Sequence, residues 1–366
     1  MSKEIVPAGN YISMIILFVF GSTLIMGVTG KSGNSSWITL LLAMALTVPL
    51  LITLARLNVL FPGKDLFDML VAVFGKIGGK IFSCLYIWYA LHLGSLVLRN
   101  FGEFCRTVAL TETPMIVPML FVGLLGISAV KSGIEVLGRT AKLLLVFSIF
   151  VIIIVQLLAI PLFDFEHLRP VLDPGWGPIL NDAFGTFTFP FAETILFLGT
   201  FRALPKKGSA YKILISGLLI AGLIILFISV RNLLVLGSNA LTSLYFPSYV
   251  AVSRINVGNF LTRIEGSSAI VFCTSLFMKV SICLYVASTG MAKVFNLKSY
   301  RSVVLQMGLI MVYIANFIFK DIFEMQHFAF ETYRYYALPF QVIIPLILWI
   351  GAELVIRKSN RKQTSS

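Results

Sequence analysis

Apolar residues along this chain come in runs of about 20, separated by short charged stretches. A helix of that length crosses the roughly 30 Å of hydrocarbon in a bilayer. Ten such spans are expected, at 11–30, 37–57, 81–100, 114–131, 140–162, 181–202, 212–236, 267–294, 302–319 and 336–356. The fold class is therefore an all-α integral membrane protein. The runs do not alternate apolar and polar over about 10 residues, which excludes a membrane β-barrel. The intervening loops are too short for a soluble domain, so 1–366 is expected to form one polytopic unit. The first run has no small-residue cleavage motif after it and is expected to be a retained helix. One segment departs from the pattern. Residues 245–266 begin with a helix-start signal at Pro247 and Ser248 but carry Arg254, Arg263 and Glu265. It is too polar to span and is expected as an outer amphipathic helix.

Composition agrees with this picture. Hydrophobic residues make up 58% of the chain and charged residues 12%, and the mean hydropathy is +0.94. A soluble domain could not bury that much apolar surface. The net charge of +13 taken alone would fit a nucleic-acid partner. Its distribution points elsewhere. With both termini on one side, that side holds 19 of the 29 basic residues and the other side holds 9. The excess is an orientation signal, with both termini expected in the cytoplasm and no nucleic acid involved. The four cysteines form no Cys-x-x-Cys pair and are expected to behave as small hydrophobes.

Spans 1–5 (residues 11–162) and 6–10 (residues 181–356) have odd span counts, so the two halves are expected to insert with opposite topology. Both halves open on a damaged helix. Span 1 carries Gly21, Ser22 and Thr23, and span 6 carries Phe189, Pro190 and Glu193. Proline removes a backbone donor and glycine permits unwinding. Freed N–H and C=O groups at mid-membrane depth must line protein or a watery cavity, where half-helix ends can hold an ion or a carboxylate. Glu193 lies about midway along span 6, and Lys279 about midway along span 8. Facing lipid, each would cost on the order of 2.5–3.5 kcal/mol. They are expected to pair in the central cavity, with Lys279 a fixed cation where other transporters bind a metal ion. The other reading is a structural ion pair locking spans 6 and 8. Tyr89 and His92 share one face of span 3, beside Tyr86. Arg99 is expected to snorkel at the outer end of that span.

Several short motifs in order carry a resemblance: Phe-Gly-Ser-Thr-Leu (20–24), Phe-Pro-Gly-Lys-Asp-Leu-Phe-Asp (61–68), Gly-Ile-Glu-Val-Leu-Gly-Arg (133–139), Leu-Arg-Pro-Val-Leu (168–172) and Phe-Pro-Phe-Ala-Glu (189–193). The stretch 246–265 adds to them. In this order the chain resembles the B subunits of spore germinant receptors, the endospore germination permease family, over nearly its whole length. The resemblance implies the amino acid–polyamine–organocation superfamily and a LeuT-like 5+5 inverted repeat with discontinuous helices 1 and 6. It implies the inner membrane of a bacterial spore and a complex with an A subunit and a lipoprotein C subunit. It also implies a small nutrient germinant, an amino acid or a sugar, bound between the unwound parts of spans 1 and 6. That maps to Gly21, Ser22, Thr23, Phe189, Pro190 and Glu193. Tyr89 and Lys279 join this set from the reading of the residues above. No cofactor or metal is implied.

Two functions compete. One is a ligand-sensing receptor subunit; the other is a secondary transporter of amino acids or amines, proton-coupled through Glu193 and Lys279. An enzyme is not expected, since His92, His167 and His327 are far apart and no aspartate-rich metal motif exists. Nothing resembles a P-loop, which disfavours ATP-driven transport.

Overall fold

The computed structural model describes residues 4–27, 30–205, 209–256 and 264–364. Among them the regular structure is entirely helical. In chain order the α-helices are α1 (Ala8–Phe20), α2 (Thr23–Met26), α3 (Ser36–Leu60), α4 (Leu66–Phe104) and α5 (Ile116–Ser132). Next come α6 (Ile134–Ala159), α7 (Trp176–Thr186), α8 (Ser209–Leu236), α9 (Ser238–Ser243) and α10 (Pro247–Ser253). The chain closes with α11 (Glu265–Val294), α12 (Val304–Phe317), α13 (Ile322–His327), α14 (Tyr333–Leu338) and α15 (Ile344–Thr364). Seven helical stretches among the described residues are long and apolar enough to cross a membrane. The three remaining expected spans, the first, fourth and ninth, are shorter apolar helices: α1, α5 and α12.

Burial sorts the helices into layers. In α1 every residue from Ser13 to Phe20 is buried, and so is every residue of α11 from Met278 to Gly290. These two form the centre. α11 packs along α4 and touches α1, α5 and α6, while α1 lies against α8 and α6. In contrast α6 exposes Leu143, Val146, Phe150 and Leu157. An apolar face turned outward is what a lipid-facing rim requires.

Both expected interruptions are present. α1 stops at Phe20, Gly21 adopts φ +35°, and the chain restarts as α2. α7 stops at Thr186 and gives way to a π-helical turn, Phe187–Phe191, in which Phe189 is extended (φ −134°, ψ 110°). A 3₁₀ helix, Ala192–Ala203, completes the span. A 3₁₀ run of 12 residues far exceeds the usual three or four.

Three expectations need correction. Span 3 does not begin at 81; α4 starts at Leu66, where the Asp65 side chain caps it by accepting from the N–H groups of Phe67 (3.1 Å) and Asp68 (3.2 Å). Lysines at 76 and 80 and the Gly78-Gly79 pair look like a loop, yet they are helical beyond a break at Gly75 (φ +73°). Arg99 does not snorkel. It is 1% exposed and pairs with buried Glu103 at 2.8 Å while donating to the Asn316 carbonyl at 3.1 Å. A buried partner on the same helix, four residues on, outcompetes the distant headgroups. Finally, the expected amphipathic helix over 245–266 is represented by the short α10 and the first turn of α11; residues 257–263 lie outside the described residues.

Candidate functional site

The two interruptions meet at Lys279. Gly21 sits so close to it that a Cβ there would fall 2.5 Å from Lys279 Cδ and 3.0 Å from Nζ. Glycine is thus needed at this position both for its positive φ and for the approach of the lysine. The carbonyl of Gly21, freed where α1 ends, lies 3.3 Å from the Ser275 hydroxyl of α11, whose single proton also has the Val271 (2.9 Å) and Phe272 (3.0 Å) carbonyls in reach. One turn beyond Ser275 on the same helix, Lys279 donates its ammonium to Glu193 Oε2. Both side chains are fully buried. The ammonium also lies over the rings of Phe18 (5.1 Å) and Phe189 (5.2 Å), whose faces are negative. A strong pair with two aromatic walls satisfies charges that lipid could not.

The second oxygen of Glu193 has its own donor. The Tyr333 hydroxyl of α14 donates to Oε1 at 2.7 Å. Tyr333 has one proton and spends it there, so the Tyr89 hydroxyl, 3.1 Å away, must donate to Tyr333. Gln341 Nε2 donates in turn to the Tyr89 oxygen and to the Thr188 carbonyl, both at 2.8 Å. That last bond satisfies a carbonyl inside the π-helical turn of the interrupted span. The result is a one-directional chain of donors, Gln341 to Tyr89 to Tyr333 to Glu193, facing Lys279 from the other side. It ties four elements to one carboxylate.

Space lies next to this network. A small pocket of about 30 Å³ is bounded by Glu193, Tyr333 and Asn100 on its polar side and by residues such as Leu93, Leu96 and Phe328 on its apolar side. A second cavity, about 70 Å³, has charged groups in its lining: Lys31, Asp182, Glu331 and Arg334. Phe189 and Ala329 border both. Asn100 donates to the Ser22 hydroxyl at 3.0 Å, so the first cavity reaches the break in span 1. Cavities that are mostly apolar with a few convergent polar groups are the usual form of a small-molecule site.

Of the residues expected from the sequence, Gly21, Phe189, Glu193 and Lys279 are brought into contact. Tyr89 joins through Tyr333, and Ser22 joins through Asn100. Pro190 is buried within the π-helical turn. Thr23 stands apart: its hydroxyl is buried and has no hydrogen-bond partner among the described residues. His92 is not part of the network and instead stacks on Trp88 (5.4 Å) beside Tyr336 (4.8 Å). Sequence reasoning missed Tyr333, Gln341 and Asn100. Gln341 and Asn100 are the two of these with a visible signal, since a primary amide inside an apolar span needs partners. Among the described residues, no group of three or more His, Cys, Asp or Glu side chains is placed to hold a metal ion.

Spore germination protein KB of Bacillus subtilis (strain 168) is 29% identical over 369 residues, covering 100% of this chain and 98% of the relative. Spore germination protein A2 of the same organism is 29% identical over 292 residues, covering 77% and 78% respectively. Among solved structures, the nucleobase-cation-symport-1 family transporter Mhp1, closed with bromovinylhydantoin bound, superposes with a TM-score of 0.72. It is 12% identical and the match covers 95% of this chain and 78% of that one. MhsT in complex with L-phenylalanine gives a TM-score of 0.65 at 14% identity, covering 97% and 99%. At such identities the likeness establishes the fold, which is that of LeuT-like transporters. These relatives and neighbours are germination proteins and transporters rather than enzymes. The family of spore permeases, described as spore germination proteins, matches residues 6–325, and the chain belongs to that family.

Proposed function

We propose that this protein is the transporter-like subunit of a spore nutrient germinant receptor, and that a small germinant binds beside Glu193 and biases two conformations of the helix bundle. The observation that carries this reading is the meeting of both helix interruptions at the Glu193–Lys279 pair, next to a mostly apolar pocket. The ligand-binding set is Gly21, Ser22, Thr23, Tyr89, Phe189, Pro190, Glu193 and Lys279, joined by Tyr333 and Asn100. The pocket as it stands, about 30 Å³, is too small for an amino acid or a monosaccharide, so the germinant-bound conformation has to open it further. The solved neighbours that hold L-phenylalanine and bromovinylhydantoin support a ligand of that size.

The same reading includes a ten-span architecture, with halves 11–162 and 181–356 related as an inverted repeat. The matching interruptions at the head of each half support it. It places the protein in the inner membrane of the spore with both termini cytoplasmic, in a complex with an A subunit and a lipoprotein C subunit. A ligand can shift the bundle only through different affinities for its two states. Replacing Leu96 by Trp fills the apolar side of the cavity without touching the ion pair. Spores carrying Leu96→Trp are expected to lose their response to one nutrient, with the protein still present at wild-type level. If deletion of the whole chain left every nutrient response intact, the receptor reading would fail.

A specific observation favours a second reading, proton-coupled transport of amino acids or amines. The donor chain from Gln341 to Glu193 ends on a carboxylate that could exchange a proton. Proteoliposomes containing this chain alone separate the two: accumulation of labelled nutrient driven by a pH gradient supports the transporter, and its absence alongside nutrient binding supports the receptor.

A further inference from the structure

We infer that the groove where α4 folds back on itself is a binding site for an anionic phospholipid. Gly75 turns the chain so sharply that the segment before it packs on the segment after it. A Cβ at Gly79 would lie 2.6 Å from the Cα of Val71. Between this elbow and the end of α11 opens a groove of about 1170 Å³. Lys64, Lys76 and Lys80 line it, with Val71, Ile77 and Ile81 beside them.

Two properties of the groove decide its occupant. The first is uncompensated charge. Asp65 and Asp68 are the acids nearest in sequence, and Lys293 bridges both, at 2.5 and 2.6 Å; Asp68 and Lys293 also line the groove, and this cluster's single net negative charge leaves the three lysines in excess. Among the described residues, none of the three lysines has a carboxylate within 4.0 Å; the Lys64 ammonium rests over the Phe61 ring at 5.2 Å. Lys76 and Lys80 are four apart and so share a helix face. The second property is an apolar track that starts beside these cations. Ile77 (80% exposed), Ile81 (58%), Leu85 and Trp88 follow at helical spacing down one face of α4. An acidic protein segment would use the cations and leave the track bare. A phosphodiester headgroup joined to acyl chains uses both. The groove also lies on the basic-rich side of the chain, where an anionic leaflet is expected to attract lysines.

Native mass spectrometry of the purified full chain tests this, with phosphatidylglycerol and phosphatidylcholine offered at equal concentration. Phosphatidylglycerol is expected to be retained at least tenfold over phosphatidylcholine and to raise the unfolding temperature. The triple variant Lys64→Gln/Lys76→Gln/Lys80→Gln is expected to lose that preference. The variant Arg139→Gln/Lys142→Gln, altered on α6 at the same side, is expected to keep it. Equal retention of the two lipids, an unchanged preference in the triple variant, or an equal loss in the α6 variant would each overturn the proposal. So would inorganic phosphate or polyglutamate raising the unfolding temperature as much as phosphatidylglycerol. Should the triple variant not remain monodisperse, Lys76→Gln and Lys80→Gln singly give the reading: each is expected to cut the preference about threefold, and no change in either overturns it.

Discussion

At the scale of single residues, the site depends on Glu193 and Lys279 balancing each other out of reach of water. Lys279→Met would leave the carboxylate with Tyr333 as its remaining side-chain donor. Breaking one side of a buried pair typically costs about 3–5 kcal/mol. Glu193→Gln would strand the ammonium, apart from its two aromatic walls, at similar cost. The double variant Glu193→Gln/Lys279→Met removes both charges and is expected to recover most of the lost stability, as read from unfolding temperatures in nanodiscs. The nutrient response then discriminates roles. It stays absent in the double variant if the charges meet the ligand, and it returns if the pair merely locks two helices.

Helices and their junctions carry the next level of control. The elbow at Gly75 begins with Asp65, which caps α4 and binds Lys293 of α11. Burial pushes the Asp65 carboxyl above its usual range, more than the neighbouring Lys293 pulls it down. The folded state therefore holds this proton more tightly than the unfolded chain does. Stability from this group is full below the unfolded value, about pH 4, and is lost as pH rises through the folded value. Asp65→Asn keeps a capping side chain but cannot titrate. The unfolding temperature of the wild type relative to Asp65→Asn is expected to fall as pH rises from about 4, and a flat difference would contradict this assignment. A different junction fixes the far end of α4, where Glu103 accepts from Arg99 at 2.8 Å and Arg106 at 2.7 Å. The reach of Arg99 to the Asn316 carbonyl ties that end of α4 to the end of α12.

For the molecule as a whole, some features were legible in the sequence for physical reasons. Long apolar runs dictate spans because bilayer thickness dictates length. Glu193 and Lys279 announced each other because an isolated charge at that depth is too costly, and the Gly21 and Pro190 breaks showed where a helix could not continue. Tyr333 was hidden for the opposite reason. A tyrosine costs little near a membrane boundary, and span 10 was expected to begin three residues later, at 336. The length of α4 was hidden because lysines and glycines at 75–80 resemble a loop, and only the folded elbow explains why they are helical. Among the described residues seven stretches are long enough to span and three apolar helices are shorter, which differs from ten equal runs, since α1 is cut by its own glycine and α5 and α12 are brief.

Lys279 brings one more consequence. A cation drawn from the medium binds with an occupancy that follows its concentration. The Lys279 side chain at Gly21 is covalently part of the protein, so its presence there does not depend on the salt of the medium. Replacing sodium by choline is therefore expected to leave the affinity for the nutrient unchanged, and a tenfold dependence on sodium would reveal a separate cation site.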